Sequence, residues 1–555
     1  MTPLLAALLV ACSPLAVQAA GPVAPGAGVL LQQIEPVAPP VPSSTSTGLT
    51  IAPHAGTQLP ASAPFPVSAI RITGNTLFDT PTLHALVADE EGKSLTLPAL
   101  GEVIARITDF YHRHGYPLAR AIIPAQSIRG GVVAVEVIEA RYDKIGLDNS
   151  SRVGDPLLTA TLSSLQGGQV IGQAEMDHAL LLLSDIPGVV VNATLTPGQQ
   201  VGTSDLLVNT TPAPAVTGNV ALDNNGDRYT GRARLGGTVN FIDPLHHGDV
   251  LSVSGLSSGS GMNYGRLAYD TLLNGQGTRI GGSYSALKYS LGDKLASLDA
   301  EGTAQVESLW VKQPLMRSRD ANVYGQIQYD QMQLRDHIDI DSIETDRHLG
   351  NWTLSLTGDK RDGLLSGAVS TWSVGVTAGR VDFDNAAAQL ADTTTVHTHG
   401  EFSKWNVNLS RLQSLSARDG LYLAFSGQWA NGNLDPSQKM IVGGPYSVRA
   451  YDVDAISADT GYLGTAEFRH DLGAAWGGQW QSVAFVDSAH VTVNQNTWAA
   501  GENSATLSGA GVGLNWAGPN TWSAKFDLAA PIGSTPELVG STGSPRAWVE
   551  LSRGF

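Results

Sequence analysis

Several short patterns have the spacing of chemical sites, and each lacks a part that its chemistry needs. Gly255-Leu-Ser257-Ser-Gly259 satisfies G-x-S-x-G. A nucleophilic serine there requires a strand-to-helix turn that lifts its hydroxyl out of a sheet. Here the surroundings are rich in Gly and Ser and no helical period follows. Gly92-Lys93-Ser94 has the end of a phosphate-binding loop, but Val87 stands where the first glycine belongs. Asp223, Asn225 and Asp227 have calcium-loop spacing, yet the glycine is misplaced and Arg234 occupies the twelfth position in place of glutamate. His246-His247 and His397-x-His399 are candidate metal pairs with no Cys or carboxylate cluster beside them, and solvated loop histidines account for both. The expectation is no catalytic residue, no metal, no cofactor and no enzyme.

What elements do such residues sit on? The chain has 555 residues, too long for one ordinary domain. Charged residues make up 15%, against roughly 25% in soluble domains, and 62 glycines help to fill the gap. A Gly-, Ser- and Thr-rich chain of low charge fits β structure with lipid on one side and water on the other. A net charge of −17 argues against nucleic acid as a partner, because phosphate neutralisation needs a basic surface. Cys12 is the single cysteine, so disulfide frameworks and Cys-ligated zinc are excluded. No run approaches the roughly 18 apolar residues of a spanning helix; the stretch Ala179 to Leu183 is far too short. A membrane-spanning form would therefore have to be a barrel.

Residues 1–19 read as a secretory signal peptide, with an apolar run from Pro3 to Val17 and a small-residue cleavage site at Val17-Gln18-Ala19. The positive n-region is missing, which fits a start codon further upstream. Leu9-Val10-Ala11-Cys12 also satisfies a lipoprotein signal in which Cys12 is lipidated. Residues 20–66 form a Pro-rich linker with one short amphipathic helix from Gly26 to Glu35, in which Leu30, Leu31 and Ile34 share a face. Residues 67–143 alternate in the order strand, helix, helix, strand, strand, and residues 144–214 repeat that order. From 215 to 555 the helical period disappears. Leu421, Leu423, Phe425 and Trp429 alternate with polar neighbours, as do Trp522, Ala524, Phe526 and Leu528, and Ala547, Val549, Leu551 and Phe555. Period-2 segments of about 10 residues mark a transmembrane barrel, and this stretch has room for about 16 strands. The fold class is mainly β, a barrel preceded by two small α/β modules.

Four stretches carry a family resemblance. They are Gly115 to Pro124 with Gln126 and Gly130 to Ile138; Leu222-Asp-Asn-Asn-Gly226 through Arg234, with Pro244-Leu245 and Gly248-Asp249; Gly443-Gly-Pro-Tyr-Ser-Val-Arg-Ala-Tyr451 with Asp459, Gly461 to Leu463 and Glu467 to Arg469; and Phe485-Val-Asp487. Together they resemble the outer-membrane transporter of two-partner (type V) secretion, the B partner that exports haemolysins, filamentous adhesins and contact-dependent toxins. The wider group is the outer-membrane assembly factor superfamily. The resemblance implies that the two modules are polypeptide-transport-associated (POTRA) domains, that the N-terminal helix plugs the pore, and that a long sixth loop at about 436–466 folds into the lumen.

The resemblance also implies site residues. Arg449 would pair with Asp487 as a loop lock, within the loop motif Val448, Ala450 and Tyr451 and the strand motif at Phe485. Ala450 and Ala489 replace glycines usual in the family; if the loop tip needs positive φ, Ala450 costs on the order of 1 kcal/mol. A three-stranded POTRA sheet offers edges to which an extended cargo can add a strand. Leu100, Ile104, Ile107 and Tyr111 could line a groove for cargo side chains, although the same spacing equally serves the module's own core. Phe555 resembles the signal read by the barrel-assembly machinery. Implied partners are a secreted β-helical exoprotein, outer-membrane lipid, the barrel-assembly machinery and periplasmic chaperones, with the transporter itself a monomer. A barrel-assembly insertase is the alternative reading, and a passive porin a weaker one. Some 150 residues before the barrel hold only two modules, whereas insertases usually carry more.

Overall fold

The computed structural model describes residues 24–34, 43–51, 60–341, 343–540 and 545–555. The expected signal segment, Cys12 and the prolines from Pro36 to Pro42 lie outside the described residues.

The alternating pattern beyond residue 215 closes on itself. Sixteen antiparallel strands run from Val216–Asp223 to Arg546–Gly554, each paired with the next and the last with the first. At the seam the Gly218 N–H donates to the Phe555 carbonyl, and the Phe555 N–H donates back to Gly218, both at 2.9 Å. Closure leaves no ladder edge to be desolvated in hydrocarbon, which is the condition for strands to cross a membrane. Side chains alternate as the sequence requires. Leu235, Leu267, Leu309, Ile327, Leu354, Val512 and Leu551 point outward and are exposed on the bare protein. A belt of that size is not tolerated in water, and it matches the lipid-facing band of an outer-membrane barrel. Elsewhere in the wall the inward faces of the strands turn Gln428, Asn408, Asp487 and Asp527 into the lumen, where they are buried.

Two α/β modules precede the barrel. The first has a sheet with Val132–Ile138 at its centre, parallel to Ala69–Thr73 and antiparallel to Arg120–Ile122. The helix Leu97–Arg113 packs on it, capped by the Thr96 hydroxyl, which accepts from the Ala99 N–H at 3.3 Å. Leu100, Ile104, Ile107 and Tyr111 lie on the buried face of this helix, none more than 5% exposed. This corrects their reading as a cargo groove: the i, i+4, i+7 stripe is consumed by the module's own sheet.

The second module repeats the order with Arg141–Asn149, helices Asp155–Leu162 and Gln173–Ser184, and strands Val189–Pro197 and Thr203–Pro212. Its first strand begins at Arg141, ahead of the expected module boundary at residue 144. Its sheet is four-stranded, not three-stranded. Linker residues Leu49–Ile51 add a parallel strand to Val189–Pro197, with Leu49 opposite Ala193 and Ile51 opposite Leu195. Beyond its short helix the linker sequence has no strand signal, because Pro, Ser and Thr dominate it. The short run Leu49-Thr-Ile51 acquires its structure from the edge it joins, not from its own periodicity.

Candidate functional site

The sixth loop joins strand Asp419–Ala430 to strand Thr460–Ala475, so it spans 431–459. The expected range of 436–466 ran too far, because residues 460–466 already pair within the wall. The loop carries a short hairpin, Met440–Val442 against Ile456–Ala458. Its tip folds inward: Val448, Ala450 and Tyr451 are at most 1% exposed and pack with Phe485, Ala489 and Leu507 of the wall.

Arg449 meets Asp487 there. Its Nε donates to Asp487 Oδ2 and its Nη2 to Oδ1, each at 2.8 Å, and its backbone N–H adds a third bond at 3.2 Å. This is the fork-on-carboxylate geometry that makes charge-assisted pairs directional. The guanidinium carbon stands 3.4 Å from the centre of the Phe485 ring, a cation–π contact with its own attraction. Trp548 clamps the loop backbone, its Nε1 donating to the Arg449 carbonyl at 2.8 Å. The pair is not alone. Arg449 Nη1 donates to Glu467 Oε1 at 2.8 Å, and Asp527 Oδ2 lies 3.8 Å away. Glu467 also holds Arg469 at 2.6 Å, and Asp527 holds Lys525 at 3.1 Å. Three cations thus face three anions and the cluster has no net charge, with Arg449 and the carboxylates buried and Arg469 and Lys525 reaching water. Thr465 donates a further bond to Asp487 at 3.0 Å.

The sequence reading did not name Glu467, Asp527, Thr465 or Trp548 as site residues. A signal was present. Glu467 is on the same face of its strand as Thr465 and Arg469, and Asp527 on the same face as Lys525, opposite the apolar lipid face.

Below the loop, the helix Ala27–Ile34 lies inside the lumen. Leu30 and Leu31 are buried against Met262, Tyr264, Leu287, Leu334 and Leu349, with Leu434 of the sixth loop completing the seat. A barrel wall that is otherwise polar inside turns apolar where the helix rests. Burying two leucines is worth about 3–6 kcal/mol, enough to keep the helix in place and little enough for displacement.

The second module and the linker meet the barrel through arginines at the ends of its strands and on a short turn. Arg317 holds Asp185 of the second module with two bonds, at 2.6 and 2.9 Å, and donates to the Ser44 carbonyl of the linker at 2.8 Å. Arg319 reaches Asp177 at 2.6 Å, and Arg361 reaches the Ser43 carbonyl at 2.6 Å. The turn at Asp243 to Asp249 docks on the same module, the Gly154 N–H donating to the His246 carbonyl at 3.1 Å.

The other sequence candidates fall elsewhere. Gly255 and Ser257 lie in strand Val250–Ser257, which turns into another strand and not a helix. Asp223 pairs with Arg234 at 2.8 Å, and Asp227 accepts from the Tyr229 N–H at 2.7 Å, so both brace the first loop. His246 is exposed in a turn, and His399 sits near Asp382 at 3.5 Å. Among the described residues no group of three or more His, Cys, Asp or Glu could hold a metal.

A closed barrel of this size, plugged from within and carrying α/β modules at one mouth, defines an outer-membrane transporter with periplasmic POTRA domains. Residues 202–516 match the family described as haemolysin secretion/activation protein ShlB/FhaC/HecB, and residues 65–140 match the ShlB-type POTRA domain. The chain belongs to that secretion family, which is a family of transporters rather than enzymes. It is 24% identical over 498 residues to the heme/hemopexin transporter protein HuxB of Haemophilus influenzae, covering 88% of this chain and 87% of the relative. It is 25% identical over 434 residues to the outer membrane transporter CdiB of Escherichia coli, covering 75% and 71%. In fold it is similar to the solved structure of CdiB from Escherichia coli, with a TM-score of 0.69 at 23% identity over 94% of this chain and 95% of the other. BamA from Haemophilus ducreyi lacking POTRA domains 1–3 shares the fold at a TM-score of 0.53 and 14% identity, over 88% and 100%.

Proposed function

We propose that this transporter takes an unfolded exoprotein from the periplasm at its two modules and passes it through the barrel lumen without ATP. The observation that carries the reading is a lumen filled by two displaceable parts of the chain itself, the helix Ala27–Ile34 and the inward sixth loop. A passive porin has no use for either. Residues 144–214 act as a second POTRA domain, and Arg449 with Asp487 as the lock that holds the loop. Main-chain pairing at a sheet edge suits an unfolded cargo because it does not depend on side-chain sequence. One edge of the second module, that of Val189–Pro197, is occupied by linker residues Leu49–Ile51, so a cargo strand docking there must displace them. Phe555, which closes the seam, serves as the recognition end for barrel assembly, and its removal lowers the amount of barrel in the membrane.

The cargo is a secreted exoprotein of the haemolysin, adhesin or contact-dependent toxin kind. A haem-binding exoprotein joins the candidates through the resemblance to a heme/hemopexin transporter. The test is secretion of the cognate exoprotein into the medium, normalised to barrel level. Deleting residues 67–211 should abolish secretion and leave the barrel. Secretion that survives would mean the modules are not the receptor.

A further inference from the structure

The N-terminal helix and the sixth loop touch each other, and both lean on a single buried arginine of the wall. Arg347, in strand Ile343–Asp362, is 5% exposed. Its Nη1 donates to Asp336 Oδ2 at 3.0 Å. Its Nε lies 2.6 Å from Asp435 Oδ2, a contact held by charge rather than by an aligned hydrogen bond. Asp336 belongs to the wall and receives the N-terminus of the helix: its Oδ1 accepts from the Ala27 N–H at 2.7 Å and from the Tyr289 hydroxyl at 2.6 Å. Asp435 belongs to the loop. Its Oδ1 accepts from the Ser437 N–H at 2.8 Å and from the Ser437 hydroxyl at 2.6 Å. The Ser437 carbonyl in turn accepts from the Gln32 side chain of the helix. There is no gap between the two elements, because a Cβ on Gly28 would stand 2.8 Å from Ser437 Cβ and N.

We infer that the plug helix and the sixth loop are one coupled latch joined through Arg347, so that loosening either one loosens the other. One guanidinium serves two buried carboxylates, one committed to the helix and one to the loop. When the helix leaves, Asp336 loses the Ala27 donor and turns more fully to Arg347, weakening the hold on Asp435. When the loop leaves, the helix loses Ser437, Leu434 and the charge balance at its N-terminus. A buried carboxylate left short of donors is costly, so each departure lowers the cost of the other. Such coupling is reciprocal by thermodynamic necessity. The functional consequence is that a cargo need engage only one of the two to clear the lumen. The inference rests on the plug reading and adds to it.

The experiment uses full-length protein with two readouts: ion conductance in planar bilayers for the helix, and the labelling rate of a cysteine at the buried loop position 458 (Ala458→Cys in a Cys12→Ser background) by a membrane-impermeant maleimide. Deleting residues 21–35 should raise conductance and also raise labelling about tenfold. Asp435→Asn, a lesion in the loop alone, should raise conductance severalfold. Arg347→Met should raise both, and Arg347→Lys, which can serve one carboxylate at a time, should fall between. If the deletion opens the pore while labelling stays at its original rate, the coupling is overturned and the plug reading stands. If the deletion leaves conductance unchanged, the plug reading itself is wrong. If Arg347→Met or, should that variant not assemble, Arg347→Lys alters neither readout, the arginine is not the joint.

Discussion

The methyl group of Ala450 occupies the space that a side chain on Gly509 would need. A Cβ on Gly509 would fall 2.4 Å from Ala450 Cβ, well inside van der Waals contact. The loop tip therefore meets bare backbone of strand Ser504–Ala517. Ala450 is not among the described non-glycine residues with positive φ. The conformational cost foreseen for an alanine at this position does not arise, and the issue is one of space. Gly509→Ala should push the tip off the wall and cut secretion strongly. Ala450→Gly should restore the room, so the double variant should secrete more than Gly509→Ala alone, a coupling typical of residues in contact. A double variant no better than the single would show that the tip does not bear on Gly509.

Arg449→Ala and Asp487→Ala should both impair secretion with the barrel still inserted, but not equally. Loss of Arg449 leaves Asp487, Glu467 and Asp527 short of a cation, while loss of Asp487 leaves Arg449 its bond to Glu467. Removing one member of a buried pair costs about 3–5 kcal/mol, less where water enters. Arg449→Ala should be the worse variant and the double little worse than it, measured as exoprotein in the medium per unit of barrel. Equal and additive defects would mean that the two act separately.

The packing of the sixth loop against the first should weaken as pH rises. Burial, with Asp227 nearby, pushes the Asp454 carboxyl from its ordinary 3.8 up to about 8. Asp227 is itself raised by burial. A carboxyl that holds its proton more tightly in the packed state favours packing while protonated, so the contribution is complete below about pH 4 and is lost between 4 and 8. Asp454→Asn removes the titration and suits the left-handed backbone at this position, φ 58°. External protease at pH 8 should cut the loop of the parent faster than at pH 5, and should cut Asp454→Asn at a rate that hardly changes. An unchanged pH dependence in the variant would exclude Asp454 as its source.

In the first module the Glu139 carboxylate works in the opposite direction. Burial would raise its pKa, but donors from Thr76, Leu77 and the Tyr111 hydroxyl outweigh it and the net shift is downward. Such a group stabilises above its unfolded value near 4.5, and the contribution disappears as pH falls through the lower, folded value. Glu139→Gln should lower protection of strand Val132–Ile138 against amide exchange at pH 7 and change it less at pH 3. Equal loss at both pH values would point to packing rather than charge.

How much of this was legible beforehand differs by element. The barrel was, because a wall with lipid on one side and water on the other must alternate every second residue, and Trp522 to Leu528 does so without interruption. The lock pair was legible only through resemblance, since nothing local tells Arg449 or Asp487 about a partner 38 positions away. The helix stripe from Leu100 to Tyr111 was legible as a stripe but not as core or groove. Only the sheet that covers it decides. The linker strand and the arginines at the turns were not legible at all. Leu49-Thr-Ile51 is too short to have a period, and Arg317-Ser-Arg319 reads as an ordinary charged turn until Asp185 and Asp177 arrive from another module.

Those turn arginines give the last expectation. Arg317 is 3% exposed and is the last residue of strand Ala300–Arg317, at the turn that faces the second module. It spends its donors on three elements: Asp185 of the second module, the Ser44 carbonyl of the linker, and Asn322 of the next strand at 3.0 Å. It therefore fixes the angle at which the module meets the pore and the point where the linker leaves the lumen. Arg317→Ala should free both at once. Secretion per barrel should drop severalfold, and distances between spin labels on the module and the barrel should broaden. Asp185→Asn keeps the linker contact and weakens only the module, so its defect should be smaller. If Arg317→Ala broadens the distances while secretion stays normal, the angle is free to vary and the joint is a tether. If neither changes, Arg319 and the turn at Asp243 to Asp249 hold the module without it.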